Sequence, residues 1–148
     1  CINILGIKKG TLLDPFCGSG GILVEAGLLG LKPIGYDLNN WYLNKARTNL
    51  KHYNIKDYKL KIRDATKIQK SFNYIISDLP YGKNSRITKQ TSLLYKDFLK
   101  NLKKILKKKA LLMFPQTFNK KLLKDFKIEA EFTYYLHKSA SKKIYLIS

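Results

Sequence analysis

Apolar positions along this chain follow two patterns that take turns. Short apolar runs of strand type, TLLDPF (11–16), KPIGYD (32–37), FNYIIS (72–77) and ALLMF (110–114), are separated by stretches of helical period. GILVEAGLL (21–29) reads as the helix after the first run. In WYLNKARTNLKHY (41–53), Trp41, Leu43, Ala46 and Leu50 fall near one helical face. In LLYKDFLKNLKKIL (93–106), Leu94, Phe98, Leu102, Ile105 and Leu106 recur at three- and four-residue steps, the mark of an amphipathic helix. YKLKIRD (58–64) alternates like a further strand, and residues 119–126 read as a last helix. IEAEFTYYL (128–136) and KKIYLIS (142–148), joined by a short Ser/Ala/Lys turn, predict an antiparallel hairpin at a sheet edge. Strands alternating with helices imply an α/β fold, a mostly parallel doubly wound sheet with right-handed crossovers. No internal repeat or linker divides it, so one domain over 1–148 is expected.

Such sheets bind ligands beyond the carboxyl ends of their strands. Asp14, Asp37, Asp64 and Asp78 each sit at or beside the end of one of the first four strands, although the chain has 10 acidic residues against 29 basic ones. Four carboxylates gathered at one edge of a protein of net charge +19 point to a site that needs them. The charge itself favours a polyanionic partner, nucleic acid above all. Yet only Arg47, Arg63 and Arg86 are arginines, and Lys, Asn and Ile are abundant, as A·T-rich codons produce. Part of the charge therefore reflects codon usage. The longest apolar stretch, 21–31, is interrupted by Glu25 and too short to span a bilayer, which argues against a membrane partner. Cys1 and Cys17 form neither a disulfide framework nor a metal-ligand spacing, so no metal and a reducing, cytoplasmic setting are expected.

DPFCGSGG (14–21) is a strand-to-helix turn whose Gly18, Gly20 and Gly21 allow a sharp turn and close approach of a ligand. A dinucleotide fingerprint requires a third glycine where Leu23 stands, and Asp14 would repel a pyrophosphate. A loop preceded by an acid suits a cofactor with an ammonium and no phosphate, as in S-adenosylmethionine. Asp14, Phe16, Cys17, Gly18, Ser19 and Gly20 are the candidate loop contacts. Asp37 can accept both ribose hydroxyls, with Leu38 packing on the adenine. Asp64 can accept from the adenine amino group while the Ala65 N–H meets the ring, and a helix N-cap competes as its role.

DPFCGSGG, GYD, RDA and SDLPYG occur in the order found in class I methyltransferases that modify amino groups. More closely, the chain resembles the archaeal and eukaryotic tRNA guanine-N2 methyltransferases acting on guanosine at position 10. PFCGSGGILVEAGLLGL looks like that family's first motif and helix, and HKSASKKIYLIS like its closing hairpin. The resemblance implies a Rossmann-like, seven-stranded methyltransferase sheet, S-adenosylmethionine as donor, and tRNA as substrate. It implies a catalytic motif of Asp78, Pro80 and Tyr81, with Leu79 where the family usually has a second proline. It also implies an RNA-binding THUMP domain upstream, with residues 1–10 as the remainder of a connecting segment.

The motif makes chemical sense. The guanine amino nitrogen shares its lone pair with the ring and is a poor nucleophile. Asp78 and the Leu79 carbonyl can accept its two N–H groups and stabilise the charge that develops on attack. Pro80 biases Leu79 toward an extended shape, Gly82 permits the following turn, and Tyr81 can stack on the extruded base. A plain turn with Asp78 as a cap is the alternative for these residues in isolation; the glycine loop tips the balance to catalysis. The basic stretch 82–89 suits a loop over substrate phosphates, whereas Lys96, Lys100, Lys103, Lys104 and Lys107 read as a solvated helix face. Trp41 and Tyr42 are expected to pack at a helix start, Cys17 to be a small packing residue, and His52 and His137 to be surface or structural. Methylation of rRNA guanine-N2, DNA adenine-N6 or protein glutamine uses similar loops and stays open. A non-catalytic cofactor-binding scaffold and a nicotinamide oxidoreductase are more distant rivals.

Overall fold

The computed structural model describes residues 2–81, 88–137 and 140–148. Its strands are β1 (Thr11–Asp14), β2 (Lys32–Asp37), β3 (Lys59–Ile62), β4 (Phe72–Asp78), β5 (Leu106–Pro115), β6 (Ile128–His137) and β7 (Ala140–Ile147). They form one seven-stranded sheet in the order β3-β2-β1-β4-β5-β7-β6. β1 to β5 pair in parallel, and β7 runs antiparallel to both β5 and β6. The predicted hairpin thus exists, with its second strand inserted between β5 and β6. Among the described residues three α-helices join the strands: α1 (Gly21–Leu28), α2 (Asn40–His52) and α3 (Lys89–Ile105).

Both faces of the sheet are covered, which is why the central runs are nearly continuous in apolar residues rather than alternating. On one face Leu13, Ile75, Leu112, Phe114 and Tyr145 pack with Tyr95, Phe98, Leu102 and Ile105 of α3. On the other, Leu12, Ile76, Leu111 and Leu146 pack with Ala26 of α1 and with Ile2 and Leu5 of a short N-terminal 3-10 turn. From β1 the chain winds outward to β2 and β3, then returns to place β4 on the other side of β1. That reversal opens a crevice above the ends of β1 and β4, where a ligand fits between diverging connections.

Four expectations are corrected. Residues 119–126 hold only a 3-10 turn, Lys120–Leu123, because the N–H groups of Leu122, Lys124 and Phe126 donate three residues back instead of four. The first strand ends at Asp14, not Phe16, since the Asp14 carboxylate already accepts the Phe16 N–H and turns the chain. Trp41 is 58% exposed, so α2 buries only Leu43, Ala46 and Leu50. α3 starts at Lys89, capped by Thr88, and runs directly into a β5 twice the predicted length. The predicted turn at Gly82 and most of the basic stretch 82–89 lie outside the described residues, as does the side chain of His137.

Candidate active site

Every predicted acid comes to the crevice, each held in a different way. Asp14 is 1% exposed. Its Oδ1 accepts the Ser77 hydroxyl at 2.5 Å and the Phe16 N–H at 3.1 Å. Burial, against these two hydrogen bonds and helped by Asp78 and Asp37 nearby, pushes its carboxyl up to about 7. Asp37 bridges two loops: Oδ2 accepts the Gly18 N–H at 3.0 Å and Oδ1 the Asn39 N–H at 2.8 Å. A carboxylate offers about four lone-pair sites, so Asp37 keeps acceptor capacity toward the crevice. Asp64 does cap a turn, the 3-10 turn Ala65–Lys67, through Thr66 N at 2.8 Å and Thr66 Oγ1 at 2.7 Å. Those hydrogen bonds, led by the Thr66 hydroxyl, hold its carboxyl below the usual range. Both bonds use Oδ1; Oδ2, 3.8 Å from the Lys67 ammonium, faces solvent with room for another donor.

The glycine loop divides its labour. Gly18, at φ 49, has open space where a Cβ would stand, so a ligand can approach its backbone closely. Gly20, at φ 84, is the left-handed N-cap of α1, and a Cβ there would meet Ala46 Cβ at 2.9 Å. Helix packing alone thus requires a glycine there. The loop is tied down by Cys17 N to Tyr36 O (2.9 Å), Gly20 N to Cys17 O (2.8 Å) and Asn49 Nδ2 to Ser19 O (2.9 Å). Cys17 is buried, and desolvation, with Asp14 and Asp37 beside it, pushes its thiol up, which makes it a packing residue rather than a nucleophile.

Among the described residues two hollows share Phe16, Gly18 and Asp78 in their walls. One, of about 390 Å³, is lined by Phe16, Gly18, Asp37, Leu38, Asp64, Ala65, Asp78 and Pro80, with Tyr42, Arg63 and Leu94 as residues the sequence reading did not assign. The other, of about 470 Å³, holds Asp14, Cys17, Gly18, Ser19, Glu25 and Asp78 in its walls. Asp78 borders both.

The turn after β4 is held from three sides. Leu79 is buried, and its N–H donates to Met113 O at 3.1 Å. The Tyr95 hydroxyl of α3 donates to Pro80 O at 2.9 Å. Burial, then the neighbouring Asp78 charge, pushes the Tyr95 phenol up to about 12, so it stays a donor. The Asp78 carboxylate accepts from the Tyr81 hydroxyl and pairs with the Lys142 ammonium, which also lies 5.0 Å from the Tyr81 ring centre. Ser77, Tyr95 and Lys142 escaped the sequence reading because their partners are remote in sequence, 63, 15 and 64 residues away. For Ser77 and Lys142 a signal existed, since they lie inside the quoted segments SDLPYG and HKSASKKIYLIS.

A buried acid at the β1 end, a second acid ending β2 and an acid–Leu–Pro–Tyr turn ending β4 are arranged around one crevice. The model of the RMKL-like methyltransferase domain matches residues 3–139. The chain belongs to that family. Among its relatives, the tRNA (guanine(10)-N2)-dimethyltransferase of Pyrococcus abyssi is 36% identical over 92% of this chain and 44% of that protein. The probable tRNA (guanine(10)-N2)-dimethyltransferase of Methanothermococcus thermolithotrophicus is 33% identical over 98% of this chain and 93% of that one. The chain spans under half the length of the Pyrococcus relative, and 43% of a similar enzyme from Methanocaldococcus jannaschii. SMU.472, a putative methyltransferase solved with SAH, superposes with TM-score 0.82 at 17% identity, over 98% of this chain and 50% of that one. TrmN from Thermus thermophilus superposes with TM-score 0.77 at 22% identity, over 95% and 44%. The RMKL-like domain here therefore has the Rossmann-like class I methyltransferase fold, with its closing antiparallel hairpin. No helix among the described residues is long and apolar enough to cross a membrane.

Proposed function

We propose that residues 1–148 are the catalytic domain of a cytoplasmic, S-adenosylmethionine-dependent enzyme that methylates the exocyclic N2 amine of a guanosine in tRNA. In this reading a THUMP-type RNA-binding domain accompanies it in the whole protein. The observation that carries the reading is the position of Asp78, which borders both hollows and begins the Leu79–Pro80–Tyr81 turn. The guanine-N2 names of the relatives supply the choice of amine and RNA.

The residues present fit S-adenosylmethionine. Asp37, Leu38, Asp64 and Ala65 line a hollow within the size range of small-ligand sites. They offer two carboxylates for ribose and adenine donors and an apolar side chain for the ring. Gly18 leaves its side open, and Asp14 supplies a buried carboxyl on the side where an ammonium would sit. When bound, the cofactor supplies a methyl group on a positively charged sulfur. Everything else falls to this chain. Asp78 and the Leu79 carbonyl accept the two N–H groups of the incoming amine and aim its lone pair. The Asp78 charge stabilises the positive charge that develops on that nitrogen. Lys142 and Tyr81 fix the carboxylate's orientation, and Tyr95 anchors the Pro80 carbonyl, which holds the turn where a second proline is missing.

Asp78→Ala in the full-length protein is expected to lower tRNA methylation at least about a hundredfold, the usual cost of removing one such electrostatic partner. Affinity for S-adenosylhomocysteine, measured by calorimetry, should be nearly unchanged. Nucleoside mass spectrometry of tRNA from cells with and without the gene identifies the product; N2-methylguanosine at an undiminished level defeats the reading.

A further inference from the structure

A second concave surface lies outside the crevice. α3 and the segment after β5 enclose a groove of about 570 Å³. One wall carries Lys96, Lys100 and Lys103 of α3, the facing wall Lys121 and Lys124, and the floor is Leu99, Leu122 and Phe126. Five ammonium groups meet a single acid, Asp125, whose carboxylate lies 3.7 Å from Lys103. Among the described residues Lys96, Lys100, Lys121 and Lys124 have no ion-pair partner, whereas Lys109, Lys120, Lys142 and Lys143 are each matched with an acid. Lys107 and Lys108 extend the same charge past Phe126 at the groove's far end.

Three of the five lysines of the row read from sequence as a solvated face thus line a two-walled channel. On an α-helix the steps from Lys96 to Lys100 and Lys103 are about 6 and 4.5 Å, a regular ladder of cations along one wall. The channel opens within one helical turn of Leu94, which lines the catalytic crevice on the other side of α3. A regularly charged, narrow polyanion matches this shape; a broad acidic protein surface cannot enter it.

We propose that this groove binds the sugar–phosphate backbone of the RNA substrate, holding a strand along α3 beside the site. The proposal rests on the methyltransferase reading above, and it assigns to specific lysines a charge that codon usage would scatter evenly. Its test is the salt dependence of tRNA binding by the full-length protein. Replacing Lys96, Lys100, Lys121 and Lys124 by Gln should reduce the slope of log affinity against log salt by roughly 3 to 3.5, since each of the four lost phosphate contacts removes about 0.7–0.9. The KM for tRNA should rise while kcat and S-adenosylhomocysteine affinity hold.

A control variant replaces an equal number of exposed lysines on α2 and β3: Lys45, Lys51, Lys59 and Lys61. Its slope should stay close to that of the unmodified protein. If the control set lowers the slope as much as the groove set, the charge is diffuse and the groove proposal is overturned. An unchanged slope in the groove variant also overturns it. A protein that binds S-adenosylhomocysteine but neither binds nor methylates tRNA defeats the functional reading itself, which separates the two failures.

Discussion

A carboxyl as thoroughly buried as Asp14 makes stability depend on pH, and the sign follows from its raised value. Unfolded, it titrates near 3.8; folded, near 7. Between those values the folded state holds a proton that the unfolded state has lost, so stability falls as pH rises from about 4 to about 7 and then levels. The span is on the order of 4 kcal/mol. Asp14→Asn, which can still accept from Ser77 and Phe16, should abolish that slope in melting curves recorded across the range. It should also weaken S-adenosylhomocysteine binding, because an ammonium ligand favours the charged form; in the unmodified protein that affinity should climb with pH until about 7. Tyr95→Phe tests the other buried polar contact. Losing the hydroxyl on Pro80 O costs about 1 kcal/mol of positioning, a several-fold drop in kcat, with cofactor affinity retained. A kcat equal to that of the unmodified protein would show that the turn holds itself. At this scale the acids were legible because each lies at or beside the end of a predicted strand. Ser77, Tyr95 and Lys142 were not, since only folding brings them beside Asp14, Pro80 and Asp78.

Elements were legible where periodicity was strong and illegible where tertiary limits decide length. The buried faces of α2 and α3 follow from Leu43, Ala46 and Leu50, and from Phe98, Leu102 and Ile105. The first turn of α3, KQTS, carries no apolar period, and only its Thr88 cap, accepting the Thr91 N–H at 3.1 Å, marks the true start. In 119–126 the apolar residues Leu122, Leu123 and Phe126 suit a helix, yet the backbone bonds there run three residues back and close only a 3-10 turn. Asn101 is the instructive case, a polar residue on the apolar face of α3. It is buried, and its Nδ2 donates to Ala65 O at 3.0 Å, tying the helix to the turn that carries Asp64 and Ala65. Asn101→Leu should therefore destabilise the domain by about 1–3 kcal/mol, the cost of leaving a buried carbonyl unpaired. It should also weaken cofactor binding, because that turn lines the hollow proposed to hold the cofactor. Urea melts and calorimetry on one preparation check both; a loss of stability with undisturbed binding would detach Asn101 from the site.

On the scale of the whole molecule, the strand order matters most, and no periodicity reveals it. Each acid lies at the end of a local pattern, but only the order β3-β2-β1-β4 makes residues 14, 37, 64 and 78 converge on one crevice. A ligand seated there touches the β1, β2 and β4 ends and the 65–67 turn at once, segments that share no site in the unfolded chain. It binds the folded state selectively, and stability must rise by mass action. At about one hundred times its dissociation constant, S-adenosylhomocysteine contributes about 2.7 kcal/mol. For a domain of this size that is a rise in Tm of roughly 5–11 °C. NADH at the same concentration should leave Tm unchanged, because the loop lacks the third glycine and Asp14 opposes a pyrophosphate. Differential scanning of the full-length protein with each ligand decides between the two. A shift with NADH and none with S-adenosylhomocysteine would reverse the cofactor assignment while leaving the fold as it stands.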